Sequence, residues 1–215
     1  MSRDPVIGLV MATMLEAMPF LIDLKLEEGA AGPFPVYGKD RLRVIISGVG
    51  KANAAMACSY FIYRYDPCVL CNLGAAGATD SRLELGECRQ IERIIEPDHP
   101  DLDTGLPHEQ APAVLEGIPS VTLATQDKPV RKTAEREKIA RLAQLVDMEG
   151  AAVSQTCRRF DKPCYVFKFV SDTPVHGQSS DIRANVFLYR EEFYHFFRKD
   201  VLPELCKSIR KAQDL

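Results

Sequence analysis

The segment YVFKFVSDTP, residues 165–174, is an apolar run that ends in an acid, Asp172, with a proline two positions later. Earlier in the chain, the segment VDMEGA, residues 146–151, reads as a helix start that carries a second acid, Glu149. A helix start, a helix, a buried strand and a terminal acid are typical of an open α/β sheet, which binds ligands at the carboxyl ends of its strands. We therefore expect the two carboxylates to converge on one crevice.

Buried strands and helices alternate along most of the chain. Residues 5–12 are a continuous apolar run, typical of a buried parallel strand, and residues 15–24 carry apolar residues at helical spacing. This alternation predicts a single α/β domain over residues 1–215, a three-layer αβα sandwich around a mixed, largely parallel sheet. Further strands are expected at 35–37, 42–46, 68–73, 86–95, 120–124 and 165–171, and helices at 52–64, 133–142 with Thr133 as N-cap, 149–160, and 185–211 with an interruption at Pro203.

Residues 96–119 are rich in proline and acid and are predicted to form a long loop. A connection of that length within a compact domain is usually either functional or mobile.

The composition limits the partners that the chain is built to meet. With 215 residues, 46% of them hydrophobic, the chain can bury one sizeable core. Its 27 basic and 30 acidic residues give a net charge of -3, which favours neither nucleic acid nor an anionic membrane surface. No apolar segment reaches the roughly 18 residues of a membrane span, and the first residues lead into a strand, not a signal peptide. We expect a soluble, cytoplasmic protein with a small-molecule partner.

The cysteines and histidines do not indicate a metal site. The seven cysteines are an odd number and are scattered, so reduced thiols are expected. Cys68 and Cys71 form a C-x-x-C pair, but no second ligand pair accompanies them, and the four histidines are dispersed. We predict neither a metal nor a cofactor.

Several segments together resemble the nucleoside phosphorylase/nucleosidase superfamily, and within it the methylthioadenosine/S-adenosylhomocysteine nucleosidase branch. They are IGLV at 7–10 followed by Glu16, SGVGK at 47–51, NLGAAG at 72–77, and the two acid-bearing segments described above. The stretch between residues 96 and 121 departs from that family and leaves the substrate open. The resemblance implies a nucleosidase that hydrolyses the N-glycosidic bond of a purine nucleoside, such as methylthioadenosine, S-adenosylhomocysteine or another adenosyl compound, to free base and sugar.

The resemblance also implies catalytic roles for two acids. Breaking an N-glycosidic bond requires a proton for the departing base and a nucleophile for the sugar. Asp172 is the implied proton donor, and Glu16 is the implied base that activates water. Each has an ordinary structural alternative: Asp172 as a helix N-cap after a strand, and Glu16 as a first-turn acid favoured by the helix dipole.

Substrate binding is assigned by the same resemblance. Glu149 is expected to accept hydrogen bonds from the ribose hydroxyls, and Met148 to offer apolar surface to the sugar, although a methionine before a helix is more often part of the core. Asp127 is the expected partner of the base edge, with a solvated turn acid as the alternative. The full set of expected base contacts is Ser171, Asp127, Ala76 and Gly77.

The two glycine-rich segments bear on the choice of nucleophile. They are predicted to form tight turns that let backbone amides approach a ligand. In the phosphorylases of the superfamily, an arginine and a serine of the second turn hold phosphate, whereas this chain has Asn72 and Ala75. The loop at residues 12–16 also has no basic residue. Water is therefore the predicted nucleophile, since phosphate is normally held by arginine or lysine.

Three other readings stay open at this point. The chain is alternatively a phosphate-dependent nucleoside phosphorylase, a non-catalytic nucleoside-binding relative, or a nucleosidase for a bulkier adenosyl lipid, as in hopanoid-associated members. The family resemblance also implies a homodimer whose subunits complete each other's 5′ pocket, and the apolar helix face at residues 52–63 agrees with that.

Overall fold

The computed structural model describes residues 5–176 and 179–213, in which ten strands form one mixed sheet. The strands are β1 (Ile7–Met11), β2 (Glu27–Glu28), β3 (Val36–Lys39), β4 (Leu42–Ile46), β5 (Val69–Ala78), β6 (Cys88–Pro100), β7 (Pro107–Gln110), β8 (Ser120–Thr125), β9 (Leu145–Asp147) and β10 (Cys164–Asp172). The helices are α1 (Met14–Asp23), α2 (Lys51–Tyr65), α3 (Thr133–Ile139), α4 (Gly150–Arg159), α5 (Ser179–Phe196) and α6 (Leu202–Gln213), with a π-helical turn (Phe197–Val201) joining α5 to α6.

The central strands β4, β1, β5 and β10 are parallel, so their carboxyl ends meet at one edge. The sheet is mixed because β6 runs antiparallel to β10, and β9 runs antiparallel to β5. Since β8 pairs with both β6 and β9, the strands β5, β10, β6, β8 and β9 close into a ring. The predicted α/β fold with a mixed sheet is confirmed.

The side chains of β1 alternate between two helical layers. Leu9 and Met11 pack in the cluster that contains α1, α5 and α6, whereas Val10 packs in the cluster that contains α2 and α4. This alternation follows from the two-residue period of a strand. Gly8 faces the second layer, where a Cβ would lie 2.5 Å from a ring carbon of Phe61, so helix α2 packs directly on the strand backbone.

An aromatic cluster packs α1 against α5 and the π-helical turn that follows it. The ring of Phe20 lies 6.2 Å from Phe193, 5.2 Å from Tyr194 and 5.4 Å from Phe197, all buried. Such aromatic pairs contribute about 0.5–1.5 kcal/mol each beyond the area that they bury. The cluster fixes α1, and with it the start of that helix at the site.

The C-terminal helical segment, from α5 to α6, continues past Pro203, and its irregular turn lies before the proline. A proline inside a helix lacks the N–H that would bond one turn back. The π turn at Phe197–Val201 precedes it, and the Leu202 amide donates to the carbonyl of Phe197. The predicted interruption is therefore a widened turn within a continuous helical segment.

The second glycine-rich segment is not a turn, so that prediction was wrong. Gly74 and Gly77 lie inside β5, which runs straight through to Ala78 and pairs with β10 over almost its whole length. Glycine is tolerated in a central strand where another group must approach the backbone closely.

The predicted loop at residues 96–119 was also wrong in part. Strand β6 continues through Pro100 and pairs with β7 as an antiparallel hairpin. At the hairpin tip, Leu102 is 99% exposed and Leu106 is 66% exposed. Pro97 and Pro100 lie toward the end of β6, and Pro107 is the first residue of β7. These positions tolerate a missing amide hydrogen.

Two smaller differences concern local boundaries. The N-cap of α3 is Lys132, without a side-chain hydrogen bond, so the prediction of Thr133 as N-cap was wrong by one residue. The short strand β9 was not predicted, because three residues give too little pattern to read.

Within the two described ranges, none of the helices combines the length and hydropathy needed to cross a bilayer. All seven cysteines are free thiols.

Candidate active site

A cavity of about 500 Å³ opens at the edge where the parallel strands end. The carboxyl-terminal parts of β5, β9 and β10 and the segment just after β1 contribute to it. The first turn of α1, the residues just before α4 and the first half of α5 complete it. Its wall consists of Ala12, Thr13, Leu15, Glu16, Val49, Ala75, Gly77, Lys128, Pro129, Val130, Arg131, Val146, Asp147, Met148, Glu149, Ser171, Asp172, Ile182, Arg183 and Val186. The predicted acids Glu16, Glu149 and Asp172 therefore share one cavity.

Asp172 is the last residue of β10 and is buried. The pairing with β5 shifts by one residue between Val170 and Asp172, so a β-bulge lies at Ser171. Bulges redirect side chains at the end of a strand. The Ser171 hydroxyl lies 2.8 Å from Asp172 Oδ1 as a donor and 3.3 Å from the Ala76 carbonyl. This hydroxyl thus holds one oxygen of Asp172 in a fixed direction.

Glu16 lies in the first turn of α1 and is held at both carboxylate oxygens. Its Oε2 accepts hydrogen bonds from the Thr13 amide (3.0 Å) and the Thr13 hydroxyl (2.6 Å), which completes a capping box. Its Oε1 accepts a 2.9 Å hydrogen bond from the Ala75 amide of β5. The capping role and a place in the cavity wall are therefore both real, and the two readings of Glu16 do not exclude each other.

The glycines of β5 make room for two of the carboxylates. A Cβ at Gly74 would lie 2.7 Å from Glu16 Oε1, and a Cβ at Gly77 would lie 2.7 Å from Asp172 Oδ2. Any side chain at these positions would displace the acid that lies against it. The glycine signal in the sequence was therefore correct as a mark of close approach, although the approaching groups are carboxylates.

Glu149 precedes α4 and points toward the N-terminus of α2. Its Oε1 accepts a 2.8 Å hydrogen bond from the Gly50 amide, in the first glycine-rich segment. Gly50 has φ +102°, a conformation that favours glycine, and it is the N-cap of α2. Burial and the nearby negative charge of Asp147 raise the pKa of Glu149 to about 7.

A buried ion pair lies beneath Glu149. Lys168 Nζ of β10 is 2.8 Å from Asp147 Oδ2, and both side chains are almost completely inaccessible. Asp147 also accepts hydrogen bonds from the Thr125 hydroxyl (2.6 Å) and the Gly150 amide (2.8 Å). With all of these partners in place the carboxylate of Asp147 is satisfied, as a buried charge must be. A lysine within an apolar strand was the sequence signal for this pair.

The remaining predicted residues divide between the cavity wall and its surroundings. Met148 and Ser171 lie in the wall, whereas Ala76 and Asp127 do not. Asp127 Oδ1 instead accepts a 2.7 Å hydrogen bond from the Lys51 amide at the start of α2. Asp127 is exposed, as the alternative of a solvated turn acid describes, but this contact also joins it to the N-terminus of α2. His176, four residues after Asp172, is exposed, and its Nδ1 lies 3.1 Å from the Thr173 hydroxyl.

The hairpin β6–β7 supports α2 from outside the cavity. Lys51 Nζ lies 2.8 Å from Asp98 and 3.3 Å from Glu96, and the Asp127 amide donates to Asp98 at 3.0 Å. No residue between 96 and 121 belongs to the cavity wall. The segment that departs from the family therefore fixes the start of α2 without covering the cavity.

Sequence reasoning missed Arg136, which contacts a predicted catalytic residue. This side chain of α3 is buried, forms an ion pair with Asp172 Oδ2, and donates from Nη1 to the Ala78 carbonyl at 2.5 Å. An arginine in a helix rich in charged residues reads as solvent-exposed. No local pattern distinguished it from its exposed neighbours.

With the geometry established, comparison with known proteins identifies the family. The family model described as the phosphorylase superfamily matches residues 7–200. The chain belongs to the phosphorylase superfamily.

Within that superfamily the chain is similar to proteins named as nucleosidases. The 5′-methylthioadenosine/S-adenosylhomocysteine nucleosidase of Bacillus velezensis is 32% identical over 201 residues, which covers 78% of this chain and 84% of the relative. The protein of the same name from Staphylococcus aureus is 30% identical over 159 residues, covering 62% of this chain and 70% of the relative. The resemblance inferred from the sequence is confirmed.

Solved structures share the fold at lower identity. The 5′-methylthioadenosine-bound nucleosidase mutant of Helicobacter pylori has a TM-score of 0.80 and 19% identity, covering 92% of this chain and 97% of that one. The native futalosine hydrolase of the same organism has a TM-score of 0.80 and 20% identity, with coverage of 90% and 96%. The Arabidopsis thaliana 5′-methylthioadenosine nucleosidase has a TM-score of 0.78 and 20% identity, with coverage of 93% and 98%.

The close approach of β5 to the acids gives a first prediction. Gly77→Ala is expected to displace the Asp172 carboxylate and to lower turnover by on the order of 10- to 100-fold, as small misplacements of catalytic groups do. Gly74→Ala should act in the same way through Glu16. The control is Gly117→Ala, where φ is +79° and no atom lies within 4 Å of the new Cβ, so only stability should suffer. Equal activity of the Gly77 and Gly117 variants would contradict the prediction.

The raised pKa of Glu149 gives a second prediction. In the folded protein this pKa is about 7, against 4.5 for the ordinary carboxyl group, so the native state retains a proton that the unfolded chain releases. The stability of the wild type should therefore decline relative to Glu149→Gln as pH rises from 4.5 to 7. At pH 8 the variant should be more stable by on the order of 2–3 kcal/mol.

Urea unfolding of both proteins between pH 4 and pH 8 measures this difference. Glutamine keeps an acceptor for the Gly50 amide, so the comparison isolates the charge. A difference that did not change with pH would show that the Glu149 carboxylate is not destabilised by its surroundings.

Proposed function

We propose that this protein is a purine nucleosidase, which hydrolyses the N-glycosidic bond of an adenosyl compound such as methylthioadenosine or S-adenosylhomocysteine. The observation that supports this most directly is the convergence of Glu16, Glu149 and Asp172 on one cavity. The relatives named as nucleosidases confirm the predicted reaction class, an N-glycosyl hydrolase.

The base end of the substrate is assigned to the wall around Asp172. Asp172 donates a proton to the purine as the glycosidic bond breaks, and Ser171 orients the carboxyl group. Gly77 offers its backbone at the same place, and Pro129 and Val130 supply apolar wall for the purine ring. Ala76 supports Ser171 through its carbonyl, and Asp127 belongs to the start of α2, so neither is assigned a base contact.

The sugar is assigned to Glu149 and Met148. A glutamate can accept hydrogen bonds from two neighbouring hydroxyls. Gly50 donates to Oε1 of Glu149, and within the described part of the chain the other oxygen accepts no protein hydrogen bond. Met148 lies beside it in the wall and offers apolar surface. Glu16, in the first turn of α1 and hydrogen-bonded to the Ala75 amide of β5, is assigned the activation of the water that attacks the anomeric carbon.

Water fits this cavity better than phosphate as the nucleophile. The elements that hold Glu16, namely the β1–α1 segment and β5, contribute no lysine or arginine to the wall. Asn72, at the position of the phosphorylase arginine, is buried in β5 and donates to the Val10 carbonyl at 3.2 Å. Ala75 offers only its amide, which Glu16 already occupies. A phosphate dianion at this place would face a carboxylate without a counter-charge.

The phosphorylase alternative is retained because of three basic residues elsewhere in the wall. Lys128, Arg131 and Arg183 carry the positive charge of the cavity. The nucleosidase for a bulkier adenosyl substrate is also retained, because no residue of the segment 96–121 covers the cavity. Both alternatives keep the same fold and the same position of Asp172.

We propose in addition that the protein is a cytoplasmic homodimer. Its free cysteines suit a reducing compartment. On α2, Met56 is 55% and Tyr63 is 91% exposed, seven residues apart and so on one face. Leu102 and Leu106 are exposed at the hairpin tip and do not line the cavity that holds the three acids. Apolar surface of this kind marks an interface.

The third prediction tests the reaction. Incubation with a panel of purine nucleosides should release free base and free sugar, at a rate that inorganic phosphate does not change between zero and about 10 mM, a range that exceeds common KM values. Chromatography of the products measures both. A saturable increase with phosphate, with sugar 1-phosphate among the products, would replace the nucleosidase by the phosphorylase.

Two variants accompany this panel. Asp172→Asn should reduce turnover by on the order of 10²-fold or more, because an amide of the same shape cannot donate the proton. Glu149→Gln should weaken the binding of ribonucleosides more than that of 2′-deoxynucleosides, because the substitution removes a hydrogen-bond acceptor for a ribose hydroxyl. A wild type that binds nucleosides but releases no base would instead favour the non-catalytic reading.

The fourth prediction concerns the dimer. Light scattering at micromolar concentration should give about twice the chain mass of 24.0 kDa, and Met56→Glu with Tyr63→Glu should shift it toward the monomer. The matched control is Ile22→Glu on α1, which is 62% exposed in the layer across the sheet. A wild type at the mass of one chain would overturn the proposal.

A further inference from the structure

Arg136 is an arginine that the fold has taken fully out of solvent. It is 1% exposed and lies on α3, a short helix at the edge of the site. Nη2 pairs with Asp172 Oδ2, Nη1 donates to the Ala78 carbonyl, and Nε has no hydrogen-bond partner among the described residues. Burying a guanidinium with an unmatched N–H is costly. The ion pair with Asp172 is its main compensation.

The guanidinium approaches Asp172 from the side of α3. Asp172 and Ser171 belong to the cavity wall, whereas Arg136 does not. A ligand in the cavity would thus meet the carboxyl group first, with the positive charge directly beyond it. The arrangement acts on Asp172 without reducing the space for a substrate.

We propose that Arg136 is a positioning residue for Asp172, which orients this acid and stabilises the carboxylate that remains after proton donation. This inference rests on the proposed nucleosidase function. A positive charge placed where negative charge develops lowers the barrier of a reaction without taking part in bond changes. Lysine can supply a similar charge with less exact geometry, and a neutral side chain cannot supply it.

Asp172 first takes up a proton from solvent. The bond between the anomeric carbon and the base nitrogen breaks, and its electron pair goes to the base. The proton of Asp172 moves to the purine ring, so the base leaves neutral and Asp172 becomes a carboxylate beside Arg136 again. Water adds to the anomeric carbon and gives one proton to Glu16, and exchange with solvent returns Glu16 to its starting state.

A purely structural role for Arg136 is the rival explanation. The side chain also ties α3 to the end of β5 through Ala78, so its removal will disturb the fold to some degree under either view. A double-mutant cycle separates the two roles, because residues that act through one another are not additive.

The experiment measures single-turnover release of base from the best nucleoside of the panel, with enzyme in excess. In the otherwise wild-type protein, Arg136→Met is expected to lower the single-turnover rate on the order of 100-fold, with a smaller change in substrate binding. In the Asp172→Asn background, the same substitution is expected to cost no more than about threefold. Arg136→Lys should recover about tenfold of the loss.

The control is Arg141→Met, an exposed arginine shortly after α3 that contributes nothing to the cavity wall. It should leave the rate unchanged. Urea unfolding of each variant reports the structural share of the effect. If Arg136→Met does not fold, the cycle with Arg136→Lys, which retains the charge, decides the question.

Three results would overturn the inference. They are a loss of the same factor in both backgrounds, an unchanged rate in Arg136→Met, or a folded Arg136→Lys that is as slow as the methionine variant. If the wild type is active and the mutant cycle is additive, the inference about Arg136 is wrong and the proposed function stands. A wild type that releases no base from any nucleoside rejects the proposed function and this inference with it.

Discussion

The contact between the backbone of β5 and two carboxylates is the constraint on which the site depends. Glu16 reaches β5 from the helix after β1, and Asp172 reaches it from the neighbouring strand β10. Both lie where the strand has glycine, so the separation of the two acids is set by the strand itself. Side chains held by a central strand are positioned more rigidly than side chains held by loops.

Two of the buried acids of the site have a cationic partner. Asp147 is paired with Lys168, and Asp172 lies beside Arg136. Among the described residues, Glu16 and Glu149 accept hydrogen bonds from neutral donors alone. Burial and the nearby charge of Asp147 raise the pKa of Glu149. Functional sites commonly retain such unfavourable groups because binding or catalysis needs them. Glu149, the residue proposed to bind ribose, is therefore a position at which the fold loses stability as the pH rises.

The strands were predictable where the sequence is continuously apolar, as in β1 and β10, because burial on both faces leaves a direct signature. The acids were predictable because they follow those strands. The glycines of β5 were misread as a turn, since their role depends on carboxylates that are distant in the chain. The hairpin after residue 96 was missed because proline and acid usually indicate a loop. Arg136 could not be predicted, because only the tertiary structure brings α3 to Asp172.

The exposed hairpin tip at residues 101–106 also divides the site between two lengths of chain. Glu16 comes before it, whereas Glu149 and Asp172 come after it, and no residue between 96 and 121 lines the cavity. Loop tips of this kind tolerate cleavage and insertion. Cleavage of the chain there would give two fragments, one with Glu16 and the other with Glu149 and Asp172. Base release would then report directly on their reassembly, since β5 from one fragment must pair with β10 from the other before Asp172 has a backbone to lie against.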